Sequence, residues 1–148
     1  MTQEEANQIS GSVKYDVCFR IADDGLDPLE ITAMLGIAPS KAHKKGDPNT
    51  STTKKGKTIE FSPFSTGVWL IHSDVGEHAD LEHHIRNLLF QLYPLKAELA
   101  ELSQRKYRMD MFCGAFIYEA HQPGFDIKSD VLLQLGELNI AIGLSIYR

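Results

Sequence analysis

Six histidines and a dense run of lysines carry most of the chemical potential of this chain. His72-Ser73-Asp74 holds the three residue types of a hydrolase triad. In a triad the serine attacks, the histidine takes its proton and the carboxylate orients the ring, all across space. Neighbours along a strand point to opposite faces and no G-x-S-x-G surrounds Ser73, so this tripeptide predicts no triad. His78, His83 and His84 raise a metal site. Two ligands on one helical face need i, i+4 spacing, as Asp80 with His84 has, and H-E-x-x-H is missing. A solvated helix face accounts for these histidines. We expect no metal, no cofactor and no catalytic residue, and the reading leans away from an enzyme.

The lysines suggest recognition instead. Lys44, Lys45 and Asp47 form a K-K-G-D loop after a short helix that Gly36 and Pro39 end, which holds the loop near the body. Trp69 begins a strand that borders the same region. A large indole in so short a strand is either a core filler or an anchor for a partner. The candidate binding residues are therefore Lys44, Lys45, Asp47 and Trp69.

Two further motifs fail on context. Ser51 to Thr58, S-T-T-K-K-G-K-T, lacks the first glycine of a phosphate-binding loop and is followed by I-E-F-S-P-F where a helix is required. Phe112 to Glu119 partly matches an RNA-binding aromatic strand, but Glu119 stands where an aromatic belongs; packing under a helix is the expected use. Cys18 and Cys113 are too few for a disulfide framework. Cys113 shares a face with methionines and reads as buried. Cys18, between Asp16 and Arg20, reads as an accessible structural thiol whose thiolate the arginine would favour.

The elements that must position these groups follow from periodicity. Val13, Tyr15, Val17, Phe19 and Ile21 alternate with polar residues, which predicts a half-buried strand. Asp27 as N-cap, Pro28 in the first turn and Glu30 three residues after the cap predict a short helix. From Lys41 to about Phe64 the chain is polar, and only Thr58 to Phe61 reads as a strand; we expect a mobile basic loop at about 41–57. Val68 to Asp74 is continuously apolar at its start, which predicts a central strand buried on both faces. Leu81, Ile85, Leu88, Leu92, Leu95, Leu99 and Leu102 make one helical stripe that Ser73 or Asp74 would begin and Pro94 would interrupt. An alternating strand from Tyr107 to Tyr118, a turn at Gln122-Pro123-Gly124, a helix from about Ser129 to Leu138 and a strand through Ile140, Ile142, Leu144 and Ile146 complete the series.

This order predicts an α+β, ferredoxin-like (split β-α-β) domain over residues 13–148. Its sheet is mixed or mostly antiparallel, with one appended helix and strand. Residues 1–12 read as a disordered amino-terminal arm without signal-peptide character. Six lysines and one acid give Lys41–Lys57 a charge of +5, so the remainder of this −5 chain carries −10. An acidic body argues against nucleic-acid binding, and no run is long enough to span a bilayer. A cytoplasmic protein is the simplest expectation.

Several of these features together resemble the bacterial family known as domain of unknown function 4279. They are Asp27-Pro28 with Ile31-Thr32, Leu35-Gly36 with Pro39, Lys45-Gly46-Asp47, Trp69, Leu81 to Leu92 with His83 or His84, and Ile146-Tyr147. The resemblance covers residues 13–148 and implies a small bacterial α+β domain with no assigned activity and no catalytic residues. We therefore expect a non-enzymatic binding or protein-interaction module, one use of which would be neutralising a basic partner. The alternative is an enzyme or small-ligand-binding protein with a pocket near Trp69 and the Lys44–Asp47 loop. The partner, protein or small ligand, is open, as is the oligomeric state.

Overall fold

The chain runs β1 (Val13–Asp23), α1 (Pro28–Leu35), β2 (Lys41–His43), β3 (Asn49–Thr52), β4 (Thr58–Phe61), β5 (Gly67–His72), α2 (Leu81–Leu92), α3 (Lys96–Gln104), β6 (Arg108–Ile117), α4 (Ser129–Glu137) and β7 (Ala141–Tyr147). This computed structural model describes residues 13–118 and 124–148. The expected amino-terminal arm lies outside the described residues, as do Glu119, Gln122 and Pro123.

The fold is α+β. Five strands lie in the order β2-β5-β1-β6-β7, antiparallel except for the parallel β6–β7 pair, and β3–β4 form a separate hairpin. The alternation of β1 places Val13, Val17, Phe19 and Ile21 on the buried face, and Met109, Met111, Cys113, Ala115 and Ile117 of β6 lie beside them. Onto this face pack Ile31 and Leu35 of α1, Ile85, Leu88 and Leu92 of α2, Leu99 and Leu102 of α3, and Val131 and Leu135 of α4. Each such side chain, fully buried, contributes about 1.5–3 kcal/mol relative to exposure. All helices thus share one side of the sheet.

Helix ends follow local chemistry. Asp27 accepts the Leu29 N–H at 3.1 Å, and Gly36 closes α1 at φ +67°, a backbone region that favours glycine. Glu30 does not complete a capping box; it pairs with Arg105. Pro94 falls in a 3₁₀ turn (Tyr93–Leu95) that separates α2 from α3, the restart its missing N–H requires.

Several expectations are corrected. The basic segment 41–57 holds two strands, β2 and β3, and the expected strand Thr58–Phe61 pairs with the second of them. Lys41–His43 join the main sheet beside β5, and the tip Thr53–Lys57 closes the β3–β4 hairpin. β5 is buried on one face, through Trp69 and Ile71, while Val68 and Leu70 on the other are half-buried. Because no helix covers that second face among the described residues, Phe112 and Phe116 are not packed under one. Instead Arg20 lies 4.4 Å from the Phe112 centroid, and Phe116 stacks on Tyr147 at 4.8 Å. The long helix begins at Leu81, not at Ser73 or Asp74, because residues 73–80 bind β1 first: Tyr15 donates its N–H to Glu77 O at 2.8 Å.

Candidate functional site

At the amino-terminal end of β1 three elements converge: β1 itself, the β5–α2 connection, and the end of β6. Between them lies a cleft of about 430 Å³ lined by Tyr15, Asp16, His72, Ser73, His84 and Phe116, among others. A second cleft of about 520 Å³ shares Tyr15 and adds Asp80, Glu82, Arg86, Phe125, Asp126 and Lys128.

The back wall of the first cleft is a serine–histidine pair. Ser73 Oγ lies 2.8 Å from His84 Nδ1 and accepts the Val75 N–H at 3.3 Å. His84 is buried, which corrects its expected place on a solvated face. Burial, then the neighbouring His83, holds its imidazole below the ordinary 6.5, so the ring is neutral at pH 7. A neutral imidazole against a hydroxyl is the start of nucleophilic chemistry, but a working pair needs its base oriented from the other nitrogen. His84 Nε2 is buried and makes no hydrogen bond of ordinary geometry among the described residues. The next residue repeats the tether, for Asn87 Nδ2 donates to Asp74 Oδ1 at 2.6 Å. The pair therefore works as a clamp that ties the end of β5 to α2.

The open wall is charged. His72 Nδ1 lies 3.2 Å from Asp16 Oδ1, and Lys14 reaches Glu77 at 3.5 Å while standing 5.4 Å from the Tyr118 centroid. Arg86 joins Glu82 and Asp130, and Lys128 joins Glu82. Among the described residues no cation lies within ion-pair distance of Asp80 or Asp126. Tyr15 sits against this charge. Its hydroxyl loses its proton less readily than usual, through burial first and then the Asp80 carboxylate. The other histidines scatter: His78 faces Val13 O at 3.1 Å and His83 is exposed. Among the described residues no three His, Cys, Asp or Glu side chains are placed to hold a metal ion.

The residues singled out from sequence lie at the other end of β1. Asp47 Oδ2 accepts the Lys44 N–H at 2.8 Å, Gly46 takes φ +86°, and Lys45 pairs with Asp24 at 3.3 Å. Lys44, Lys45 and Asp47 thus share one exposed turn. Trp69 does not join them at the surface: its ring is wholly buried and its Nε1–H donates to Thr32 Oγ1 at 3.1 Å. Beside the turn is an open cleft of about 590 Å³ that includes His43, Asp47 and Phe64, with the His43 and Phe64 rings stacked at 3.4 Å. Lys54, Lys55 and Gly56 form a hairpin tip rather than a strand-to-helix phosphate loop.

Sequence reasoning missed Tyr15, Ser73 and His84 as a group. Ser73 was weighed only in the rejected His72-Ser73-Asp74 tripeptide, and His84 only as a metal ligand with Asp80. Cys18 is also buried, and burial outweighs Arg20: the thiol is pushed up to about 11, and Cys113 to about 12.

The family model for Domain of unknown function (DUF4279) matches residues 13–148, nearly the whole chain. The chain belongs to this family. No curated protein and no solved structure matches it. This DUF4279 chain has, among its described residues, no helix long and apolar enough to cross a membrane.

Proposed function

We propose that the protein is a non-enzymatic binding module that docks a positively charged segment of a protein partner at the paired clefts around Tyr15. One observation carries the reading: Asp16, Asp80 and Asp126 line the clefts with the Tyr15, Phe116 and Phe125 rings, and among the described residues neither Asp80 nor Asp126 has a cation within ion-pair distance. A guanidinium or ammonium gains there both from the carboxylates and from the ring faces, a contact worth about 0.5–2 kcal/mol per ring. The −5 net charge steers such a partner inward. The unoriented His84 supports binding over catalysis.

The test is fluorescence anisotropy with a labelled arginine-rich peptide and an acidic control. Affinity for the basic peptide should fall as salt rises, and should drop about tenfold or more in Asp16→Asn/Asp80→Asn. Equal binding by the double variant would remove the clefts from the reading.

A second reading keeps a small-ligand site at the Lys44, Lys45 and Asp47 turn, supported by the open cleft beside it. We further read the β-α-β-β-α-β portion as ferredoxin-like. Its neighbour order β2-β5-β1-β6, all antiparallel, supports this. We also propose a cytoplasmic location, with which two free, buried thiols are compatible.

A further inference from the structure

The outer edge of β7 pairs with no other strand among the described residues. It is seven residues long, carries no charge from Ala141 to Tyr147, and leaves Ile142, Leu144, Ile146 and Tyr147 between 40% and 52% exposed. Natural sheets blunt such an edge with lysine, proline or a bulge, because its free N–H and C=O groups template another strand. None of those devices is present here. An edge of this kind in a chain of net charge −5 calls for an occupant.

The geometry points to a second copy of this chain, paired antiparallel through β7 about a two-fold axis at Leu144. The sequence is self-complementary in that register. Leu144 meets Leu144 of the partner subunit, and Ile142 meets Ile146 of the partner subunit, giving a continuous apolar strip on the helix-bearing face. On the bare face Gly143 lies opposite Ser145 of the partner subunit. Ala141 lies opposite Tyr147 of the partner subunit, so a small side chain leaves room for each ring. An uncharged strand meets its copy without like-charge repulsion. The two sheets would join into one of ten strands. A seven-residue contact is about 24 Å long. That lies at the small end of specific interfaces, below about 800 Å² per partner, so the dimer is expected to dissociate in the micromolar range. β7 runs parallel to β6, whose far end borders the cleft. The two-fold axis therefore sends the two Tyr15 clefts to opposite ends of the joined sheet.

Sedimentation velocity of the full chain from 1 to 200 micromolar (about the range a small interface requires) should show a monomer–dimer equilibrium. Leu144→Lys should weaken it about a hundredfold or more, with circular dichroism and melting temperature retained. Phe90→Lys, at an exposed apolar site on α2, should leave it unchanged. If Leu144→Lys fails to fold, Leu144→Cys decides: on the axis it should form an intermolecular disulfide under mild oxidation. A full chain that stays monomeric throughout, a dimer that survives Leu144→Lys, or a chain that dimerises only after removal of residues 1–12 would each overturn the proposal. The last would identify the arm as the edge's occupant.

Discussion

The two ends of β1 carry two kinds of polar cluster, and they differ in what holds them. At the carboxy-terminal end, Lys44, Lys45 and Asp47 form a local turn, tied by Asp47 to the Lys44 N–H and by surface ion pairs to Asp24 and Asp27. At the amino-terminal end, Tyr15, Ser73 and His84 come from three separate elements, and the histidine at its back is buried. Neighbours in sequence make a motif that the eye finds at once but that water solvates. Residues far apart in sequence make the better-defined cavity, because tertiary packing fixes their positions. The difference predicts unequal consequences when each cluster is cut.

The largest effect should come from beneath the cleft. Leu88 lies one helical turn beyond His84 and is wholly buried. Leu88→Ala should cost about 2–5 kcal/mol through lost contacts and the cavity left behind. Urea unfolding measures it, and a loss under about 1 kcal/mol would mean α2 is not the anchor described.

Ser73→Ala comes next. It strips Nδ1 of His84 of its partner while the ring stays buried, which should cost about 1–3 kcal/mol. A neutral result would reduce the clamp to an incidental contact.

The clamp also has a pH signature. His84 binds its proton less readily folded than unfolded, where its ordinary value is 6.5, so below that pH the unfolded chain takes up more protons. Stability should be complete above about pH 6.5 and fall as the pH drops further, in a window above that of the carboxylates. His43, also lowered chiefly by burial, adds in the same direction. Stability measured from about pH 7.5 to 5.5, the range in which histidine titrates, should fall less steeply in His84→Asn than in the parent; parallel curves would break the assignment.

The smallest effect belongs to the turn. Lys45→Ala/Asp47→Ala should shift stability by no more than about 1 kcal/mol, since exposed ion pairs contribute little. A loss comparable with Ser73→Ala would erase the contrast. In the same region, brief trypsin treatment should cut at Lys54, Lys55 or Lys57 in the hairpin tip before Arg20 or Arg108 within strands.

Much of the fold was legible because it rests on periodicity. The odd face of β1, the interrupted stripe from Leu81 to Leu102 and the cap at Asp27 all appear where local pattern put them. The short strands Lys41–His43 and Asn49–Thr52 were not, because backbone pairing across the sheet or hairpin needs no apolar signal in so polar a run. The cleft was illegible for a related reason. Ser73 and His84 are eleven residues apart, and nothing local shows that the connection folds back along β1 to bring them together. Trp69 was ambiguous until the Thr32 hydroxyl proved to satisfy its one polar atom inside the core.

Cys18 and Cys113 lie on neighbouring strands but look out from opposite faces of the sheet, one toward the bare side and one toward the helices. Each is shielded, and with the two thiols pushed up to about 11 and 12 almost no thiolate exists at neutral pH in the closed state. An alkylating reagent must therefore wait for the protein to open, and each adduct time-stamps an opening on its own side. The chain carries a two-channel recorder of its own fluctuations. Mass spectrometry of the two labelled peptides would tell whether the helices lift away from the sheet in the same event that exposes Cys18, or in a different one.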